Sequence, residues 1–111
     1  MKNMYYILDE FGNPVEESDV IKWGEWFSKN NHRRVIRKTR IDDDAILVST
    51  VFLGINHNFI TEGEPLIFET MVFCKNELDP MHNYQLRYTN SVNAISGHEK
   101  IVNLIKSSIF N

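Results

Sequence analysis

The sequence predicts an α+β domain in which an antiparallel sheet of about four to five strands carries an N-terminal and a C-terminal helix on one face. Three observations predict this class. Segments rich in β-branched and aromatic residues occupy the middle of the chain, at residues 45–53 and 66–73. A segment with helical apolar spacing lies near each end. The two central segments are separated by about a dozen residues, a length that suits an antiparallel pair.

Length and composition place the chain among globular single domains. It has 111 residues, near the commonest domain size, so we expect residues 1–111 to form one unit. A chain of this length buries roughly 65% of the surface that its unfolded form exposes. Hydrophobic residues make up 42% of the sequence and aromatic residues 12%, which excludes a disordered chain.

The first half of the chain predicts a strand, a helix and a second strand. Residues 5–8 are rich in strand-forming side chains. A helix is predicted over residues 19–29, with Ser18 or Asp19 as its N-cap. Residues 33–41 form a predicted strand with many basic side chains, which are typical of a sheet edge because they discourage pairing with other chains.

The second half predicts three more strands and the closing helix, at residues 45–53, 66–73, 84–88 and from Asn90 or Ser91 onward. In residues 45–53, apolar side chains occur at both odd-numbered and even-numbered positions, so both faces of this strand are apolar. That pattern is typical of a strand in the middle of a sheet, where neighbouring layers cover it.

Cysteine content and hydropathy bear on the compartment. Cys74 is the single cysteine, so no internal disulfide can form. The start of the chain lacks the pattern of a signal peptide, and no apolar run approaches the ~20 residues of a membrane span. We therefore expect a cytoplasmic protein without a membrane partner.

The charge distribution keeps a nucleic-acid hypothesis open. Formal net charge is −3, yet one short stretch is strongly basic and contains Arg33, Arg34, Arg37, Lys38 and Arg40. Arg33 and Arg37 could contact phosphates with Tyr5 or Tyr6 nearby for stacking. The alternative is a solvated edge strand, which we favour because the rest of the chain is acidic and shows no recognition helix.

The histidines and Glu69 raise the question of a catalytic or metal site. No pair of histidines has the spacing of a zinc site, but His57, Glu69 and His98 could converge from two strands and a helix. The alternative for His98 is that it packs beside Gly97 against the sheet and hydrogen-bonds a loop. Glu69 lies in an apolar strand, where Arg87 on the last strand is its natural ion-pair partner.

No reaction-specific signature surrounds these residues. Cys74 has no catalytic motif around it, and the glycines at positions 54, 63 and 97 are isolated, so a phosphate-binding loop is not supported. We therefore expect no cofactor and no metal, and we favour a protein that is not an enzyme. A small enzyme or ligand-binding protein with a pocket of His57, Glu69, Arg87 and His98 stays open as an alternative.

The central part of the chain resembles a family of small, functionally uncharacterised proteins from phages, prophages and mobile elements. The resemblance rests on VSTVFLG over residues 48–54, on His57 and Phe59, and on PLIFETMVF over residues 65–73. Shorter pieces on both sides also match in kind, namely YILD at 6–9, NPV at 13–15, RYT at 87–89, Ala94, Gly97 and His98. The family commonly has a glycine pair after the central block, where this chain has Cys74 and Lys75.

The resemblance implies a biological context without catalytic residues to transfer. Small accessory proteins of phages often act by stoichiometric binding, including the inhibition of host defence systems. Our leading hypothesis is therefore a non-enzymatic binding protein with a host protein as partner. We expect the contacts to come from the basic strand and from the loop that contains Asn56, His57, Asn58 and Phe59. A homodimer is plausible for a small sheet protein.

Overall fold

The computed structural model describes residues 3–59 and 63–110, with side chains described as far as residue 108. It contains the helices and strands β1 (Tyr6–Leu8), β2 (Pro14–Glu16), α1 (Val20–Lys29), α2 (Asn31–Arg34), β3 (Val35–Ile41), β4 (Ile46–Phe52), β5 (Phe68–Cys74), β6 (Gln85–Tyr88) and α3 (Ser91–Phe110). The predicted α+β class is confirmed.

Four strands form one antiparallel sheet in the order β3-β4-β5-β6, and β1 and β2 form a separate antiparallel pair. The basic strand β3 lies at the edge of the sheet and the apolar strand β4 lies inside it, as their sequences predict. The caps are also confirmed. Asp19 accepts hydrogen bonds from the amides of α1, and Asn90 accepts one from the Asn93 amide at the start of α3.

The register assigns each strand residue to one of two faces, because cross-strand partners point to the same side and neighbours along a strand point to opposite sides. Thr50 pairs with Thr70, and Val51 pairs with Glu69, which in turn pairs with Arg87. The face that contains Thr50 is the one on which α3 packs, as its contacts with His98 show. We call this the helix face and the opposite side the open face.

Helix α3 covers the helix face through two apolar clusters. The cluster nearer the C-terminal end of α3 contains Ile41, Ile46, Val48, Val72, Cys74, Ile101, Val102 and Ile105. The second cluster joins the β1 strand to the sheet and to the start of α3 and contains Tyr6, Leu8, Phe52, Ile67, Phe68 and Ala94. No helix among the described residues is long and apolar enough to cross a membrane.

Helix α1 reaches the same side of the sheet through its tryptophans. The Trp26 ring meets Phe52 edge-on with 5.9 Å between ring centroids. The indole N–H of Trp23 donates to the carbonyl oxygens of Gly54, at 2.9 Å, and Tyr6, at 3.2 Å. These bonds hold α1 against the β1 strand and the loop that follows β4.

The predicted strand over residues 33–41 is wrong at its start. Arg33 and Arg34 belong to the short helix α2, and β3 begins at Val35. The amides of both arginines donate to the Asn30 carbonyl oxygen, so this stretch continues the turn after α1 before it extends. The local turn hydrogen bonds override the strand preference that the sequence pattern indicated.

The loop between β3 and β4 contains three consecutive residues in the left-handed region. Asp42, Asp43 and Asp44 have φ angles of 56°, 55° and 66°. This region costs a side-chain-bearing residue about 1 kcal/mol or more, and aspartate tolerates it better than most residues. The hairpin therefore contains backbone strain at positions where a glycine fits without cost.

We predict that Asp43→Gly raises the free energy of unfolding relative to Asp43→Ala by about 1 kcal/mol. Both substitutions remove the same charge, so the difference between them isolates the cost of the left-handed backbone. Urea-induced unfolding of the two variants measures this difference. Equal stability would show that the loop does not hold residue 43 at positive φ.

Gly97 allows α3 to approach β6 closely. A Cβ atom at position 97 would lie 2.2 Å from the Tyr88 hydroxyl oxygen and 2.4 Å from its ring. The Tyr88 oxygen is buried and has no hydrogen-bond partner among the described residues. The phenol ring therefore packs directly on the helix backbone, and any side chain at position 97 must displace it.

We predict that Gly97→Ala lowers the free energy of unfolding by about 1–3 kcal/mol, because the added methyl group overpacks this contact. Gly24→Ala in α1 is the matched control. A Cβ atom there meets nothing within 4 Å, so the substitution should raise stability by up to about 1 kcal/mol through helix propensity. Equal effects of both substitutions in thermal or urea unfolding would contradict the close approach of α3 to Tyr88.

Candidate functional site

The open face of the sheet lies opposite the side that α3 and the Trp26 ring of α1 contact. Among residues 3–59 and 63–110, no helix packs on this face. Its side chains form three cross-strand rows, which are Arg40–Leu47–Phe73, Lys38–Ser49–Met71–Gln85 and Val35–Val51–Glu69–Arg87. On the open face, β4 and β5 are therefore mainly apolar, interrupted by Ser49 and Glu69, and the rims on β3 and β6 are polar or charged except at Val35.

The centre of the open face is unusually apolar for a surface in contact with water. Leu47, Val51 and Met71 are half-buried by their neighbours, and Phe73 is 41% exposed. A sheet face that remains in water normally carries mainly polar side chains. Contiguous exposed apolar side chains with a polar rim are typical of an interaction site.

Glu69 and Arg87 form the ion pair that the sequence predicts. They are direct cross-strand partners, and the Arg87 Nε donates to the Glu69 carboxylate at 3.0 Å. The Glu69 side chain is 12% exposed and the Arg87 side chain 34%. Arg87 makes this bond through Nε, and its terminal amino groups have no acceptor among the described residues. Glu69 is thus neutralised while Arg87 keeps donors for an additional anion.

His57 lies in the loop after β4, close enough to this ion pair for both charges to act on its imidazole. Burial lowers the pKa of its imidazole, the positive charge of Arg87 lowers it further, and the negative charge of Glu69 partly opposes both effects. Its ring lies 5.6 Å from the Phe59 ring, and Phe59 is 67% exposed. His57 is therefore a neutral side chain near neutral pH, with an exposed aromatic ring next to it.

The predicted contact loop is only partly exposed. Asn56 is buried, which corrects the expectation that it is a surface contact residue. Its side-chain oxygen accepts hydrogen bonds from the amides of Asn58 and Leu66, so it holds the loop together from inside. Asn58 is half-buried and donates to the Glu64 carbonyl oxygen. Phe59 is the exposed residue among these four, at 67%.

His98 lies on the helix face and is completely buried. Its Nδ1 is 2.7 Å from the Thr50 hydroxyl oxygen and its Nε2 is 2.8 Å from the Thr39 hydroxyl oxygen. Thr50 in turn contacts the Thr70 hydroxyl at 2.5 Å. Both ring nitrogens are therefore satisfied by strand hydroxyls. His98 packs against the sheet as expected, but the expected hydrogen bond to a loop is wrong, because Thr39 and Thr50 lie on β3 and β4.

The hypothetical pocket of His57, Glu69, Arg87 and His98 does not form. The ion pair belongs to the open face and His57 to the loop after β4, whereas His98 is enclosed on the helix face with the sheet between it and the ion pair. Within the described residues, no group of three His, Cys, Asp or Glu side chains could hold a metal ion. Cys74 is buried, and burial raises the pKa of its thiol, so this thiol is not an activated nucleophile.

The basic stretch does not form one surface either. The Arg33 guanidinium donates to the Asp9 carbonyl oxygen, and Arg34 stacks on the Phe27 ring at 3.6 Å. Arg37 is on the helix face and pairs with Glu99 at 2.8 Å. Lys38 and Arg40 remain on the open face. A phosphate-binding strip through Arg33 and Arg37 is therefore interrupted by structural contacts.

A small groove opens between α3 and the loop after β5. Its volume is about 220 Å³ and it is lined by Ile46, Asp79, Met81, Leu104, Ile105 and Ser108. This volume is below the ~300 Å³ at which ligand pockets usually begin. The groove brings together no two side chains with complementary catalytic roles.

The apolar pattern of β4 indicates the open face, but only when the register of the strands is known. Residues 46–52 contain no exposed side chain, although only one side of β4 is covered by a helix. The apolar residues at odd and even positions of β4 correctly predicted that this strand lies inside the sheet. They did not show that one of its faces lacks a covering layer.

No family model matches the chain, and neither the curated proteins nor the solved structures include a significant match.

The buried His98 makes the stability of the protein depend on pH. Its pKa in the folded state is lowered from 6.5, mainly by burial, while the nearby Glu99 raises it and Arg37 lowers it. The unfolded state therefore binds a proton more readily. We predict that the free energy of unfolding is highest above pH 6.5 and falls as the pH decreases from 6.5 towards the folded-state pKa.

Urea unfolding between neutral and mildly acidic pH measures this dependence. His98→Gln should flatten it, although His57, whose pKa is also lowered, retains part of the slope. His32→Gln is the control, since His32 is exposed on α2, and it should keep the slope of the wild type. An unchanged slope in the His98 variant would contradict the assignment.

Proposed function

We propose that the protein is a non-enzymatic binding protein that docks a partner protein stoichiometrically on the open face of its sheet. One observation carries the proposal. The central strand β4 is apolar on both faces, and among the described residues helices cover only one of these faces. A partner that covers the other face removes Leu47, Val51, Met71 and Phe73 from water. Each of these side chains contributes roughly 1–2 kcal/mol when its burial is completed.

The alternative function, a small enzyme or ligand-binding protein, has less support. The residues that a catalytic pocket would need lie on opposite faces of the sheet, and the carboxylate of Glu69 is engaged by Arg87. The open face instead combines an apolar centre with a charged rim, which is the usual anatomy of a protein interface. Partner binding on the open face therefore requires no rearrangement of the sheet.

The resemblance to small phage and mobile-element proteins supports a host protein as the partner. In that context, a small binding protein acts by masking the surface of a host protein, for example a component of a defence system. The masking mode requires no turnover, which agrees with the absence of a reaction signature in the sequence. The compartment that this proposal requires is the cytoplasm of the host cell.

We predict that Met71→Glu abolishes partner capture from host lysate, because Met71 lies in the middle row between Ser49 and Gln85. Leu78→Glu is the matched control, since Leu78 is 91% exposed and belongs to the loop after β5, in which Asp79 and Met81 lie beside α3. Affinity capture with quantitative mass spectrometry measures the ratio of partner to bait for each variant. The control should keep the wild-type ratio.

A second variant tests the proposal in case Met71→Glu unfolds the protein. Phe73→Gln changes an open-face side chain that is already 41% exposed, and circular dichroism with urea unfolding verifies the fold of each variant. We expect Phe73→Gln to lower partner capture as well. If folded Met71→Glu and Phe73→Gln variants both capture the partner at the wild-type ratio, the proposed function is wrong.

A further inference from the structure

The open face has the dimensions of a helix-binding surface. Adjacent strands lie about 4.8 Å apart, so the rims on β3 and β6 are roughly 14 Å apart. An α-helix with its side chains is about 10–12 Å across and fits between them. Leu47 and Val51 span about 13 Å along β4, which corresponds to roughly nine helical residues.

The packing of α3 on the helix face is an example of how a helix covers this sheet. There, the amphipathic helix α3 lies on the sheet and buries its apolar side chains against the central strands. The central strands present apolar side chains to both sides. An amphipathic helix from a partner therefore completes a second helical layer on the open face.

The rims of the open face are cationic on a chain whose net charge is −3. Lys38 has no ion pair or hydrogen bond within the described part of the chain. Arg40 lies 3.7 Å from Asp44, with both side chains at least 60% exposed, so this contact leaves the guanidinium accessible. Arg87 adds free terminal donors on the opposite rim.

A second copy of the chain matches this charge pattern poorly. A two-fold axis along the strands places β3 of one copy over β6 of its partner, so that Lys38 faces Gln85. An axis across the strands places β3 over β3, so that Lys38 faces Lys38. In neither aligned arrangement does Lys38 or Arg40 meet the carboxylate of Glu69.

Nucleic acid matches the apolar centre poorly. Single-stranded nucleic acid binds by stacking bases on aromatic rings, and Phe73 is the aromatic side chain in the three rows of the open face. The neighbouring Leu47, Val51 and Met71 are aliphatic. Arg33, Arg34 and Arg37, which would extend a phosphate track, are engaged in other contacts.

We infer that the open face takes an acidic amphipathic helix of another protein, laid along β4 and β5 with carboxylates on both of its flanks. The apolar stripe of this helix contacts Leu47, Val51, Met71 and Phe73. Its carboxylates face Lys38 and Arg40 on one rim and the terminal amino groups of Arg87 on the other. This inference rests on the proposed function and names the chemistry of the partner.

The test uses three fluorescein-labelled peptides with the same leucine stripe at helical spacing. Their flanks carry glutamate, glutamine or lysine, and fluorescence anisotropy measures their binding to the full-length protein. We expect the glutamate peptide to bind about tenfold more tightly than the lysine peptide at low salt, with a smaller ratio at high salt. Met71→Glu should abolish the binding of all three peptides.

Charge reversal on the rim provides the decisive variant. The double variant Lys38→Glu and Arg40→Glu should reverse the preference between the glutamate and lysine peptides. The matched control is Lys100→Glu with Lys106→Glu, which makes the same change of net charge on exposed positions of α3. The control should keep the preference of the wild type, since α3 lies on the other side of the sheet.

Several results overturn the inference. These are equal affinity for the glutamate and glutamine peptides, no binding of the glutamate peptide, tighter binding of an oligothymidine, and a dimer in solution that Met71→Glu dissociates. Failure of the inference can be separated from failure of the proposed function. If Met71→Glu abolishes capture of the lysate partner and the rim reversal leaves it unchanged, the open face binds a protein of different chemistry.

Discussion

The hydrogen bonds of His98 determine how α3 sits on the sheet, and the remaining architecture depends on that placement. Apolar side chains can slide over one another at small cost, whereas a buried imidazole must keep a partner at each nitrogen. Thr39 and Thr50 supply these partners from adjacent strands. The polar layer lies between the two apolar clusters, so it sets one register for helix against sheet. Gly97, next to His98, packs so closely on Tyr88 that a Cβ atom at position 97 would overlap the Tyr88 side chain.

Helix α3 covers one face of the sheet, and no helix among the described residues covers the other. The strands β4 and β5 carry apolar side chains in both directions, and the chain supplies a helical layer for one direction. The Glu69–Arg87 ion pair lets an otherwise costly carboxylate remain within this open surface. The free terminal donors of Arg87, together with Lys38 and Arg40, give the surface a cationic rim. The apolar centre and the charged rim are thus both exposed because α3 packs on the opposite face of the sheet.

Much of the fold follows from local patterns. Asp19 and Asn90 are recognisable caps, the β-branched run of β4 marks an inner strand, and the basic residues of β3 mark an edge. Local patterns failed at Arg33 and Arg34, where turn hydrogen bonds to Asn30 and contacts of the guanidinium groups outweighed the strand preference. They also misplaced Asn56, because a polar loop residue is usually exposed and this one satisfies loop amides from within.

The sequence by itself determined the class of fold, the order of its main elements and the pairing of Glu69 with Arg87, since each depends on residue periodicity or on charges in neighbouring strands. Only the tertiary structure decided which face each residue occupies. Alternation along a strand assigns residues to two sides but does not say which side a distant helix will cover. That choice separated His98 from Glu69, divided Lys38 from Arg37, and left the apolar centre of the sheet available to a partner.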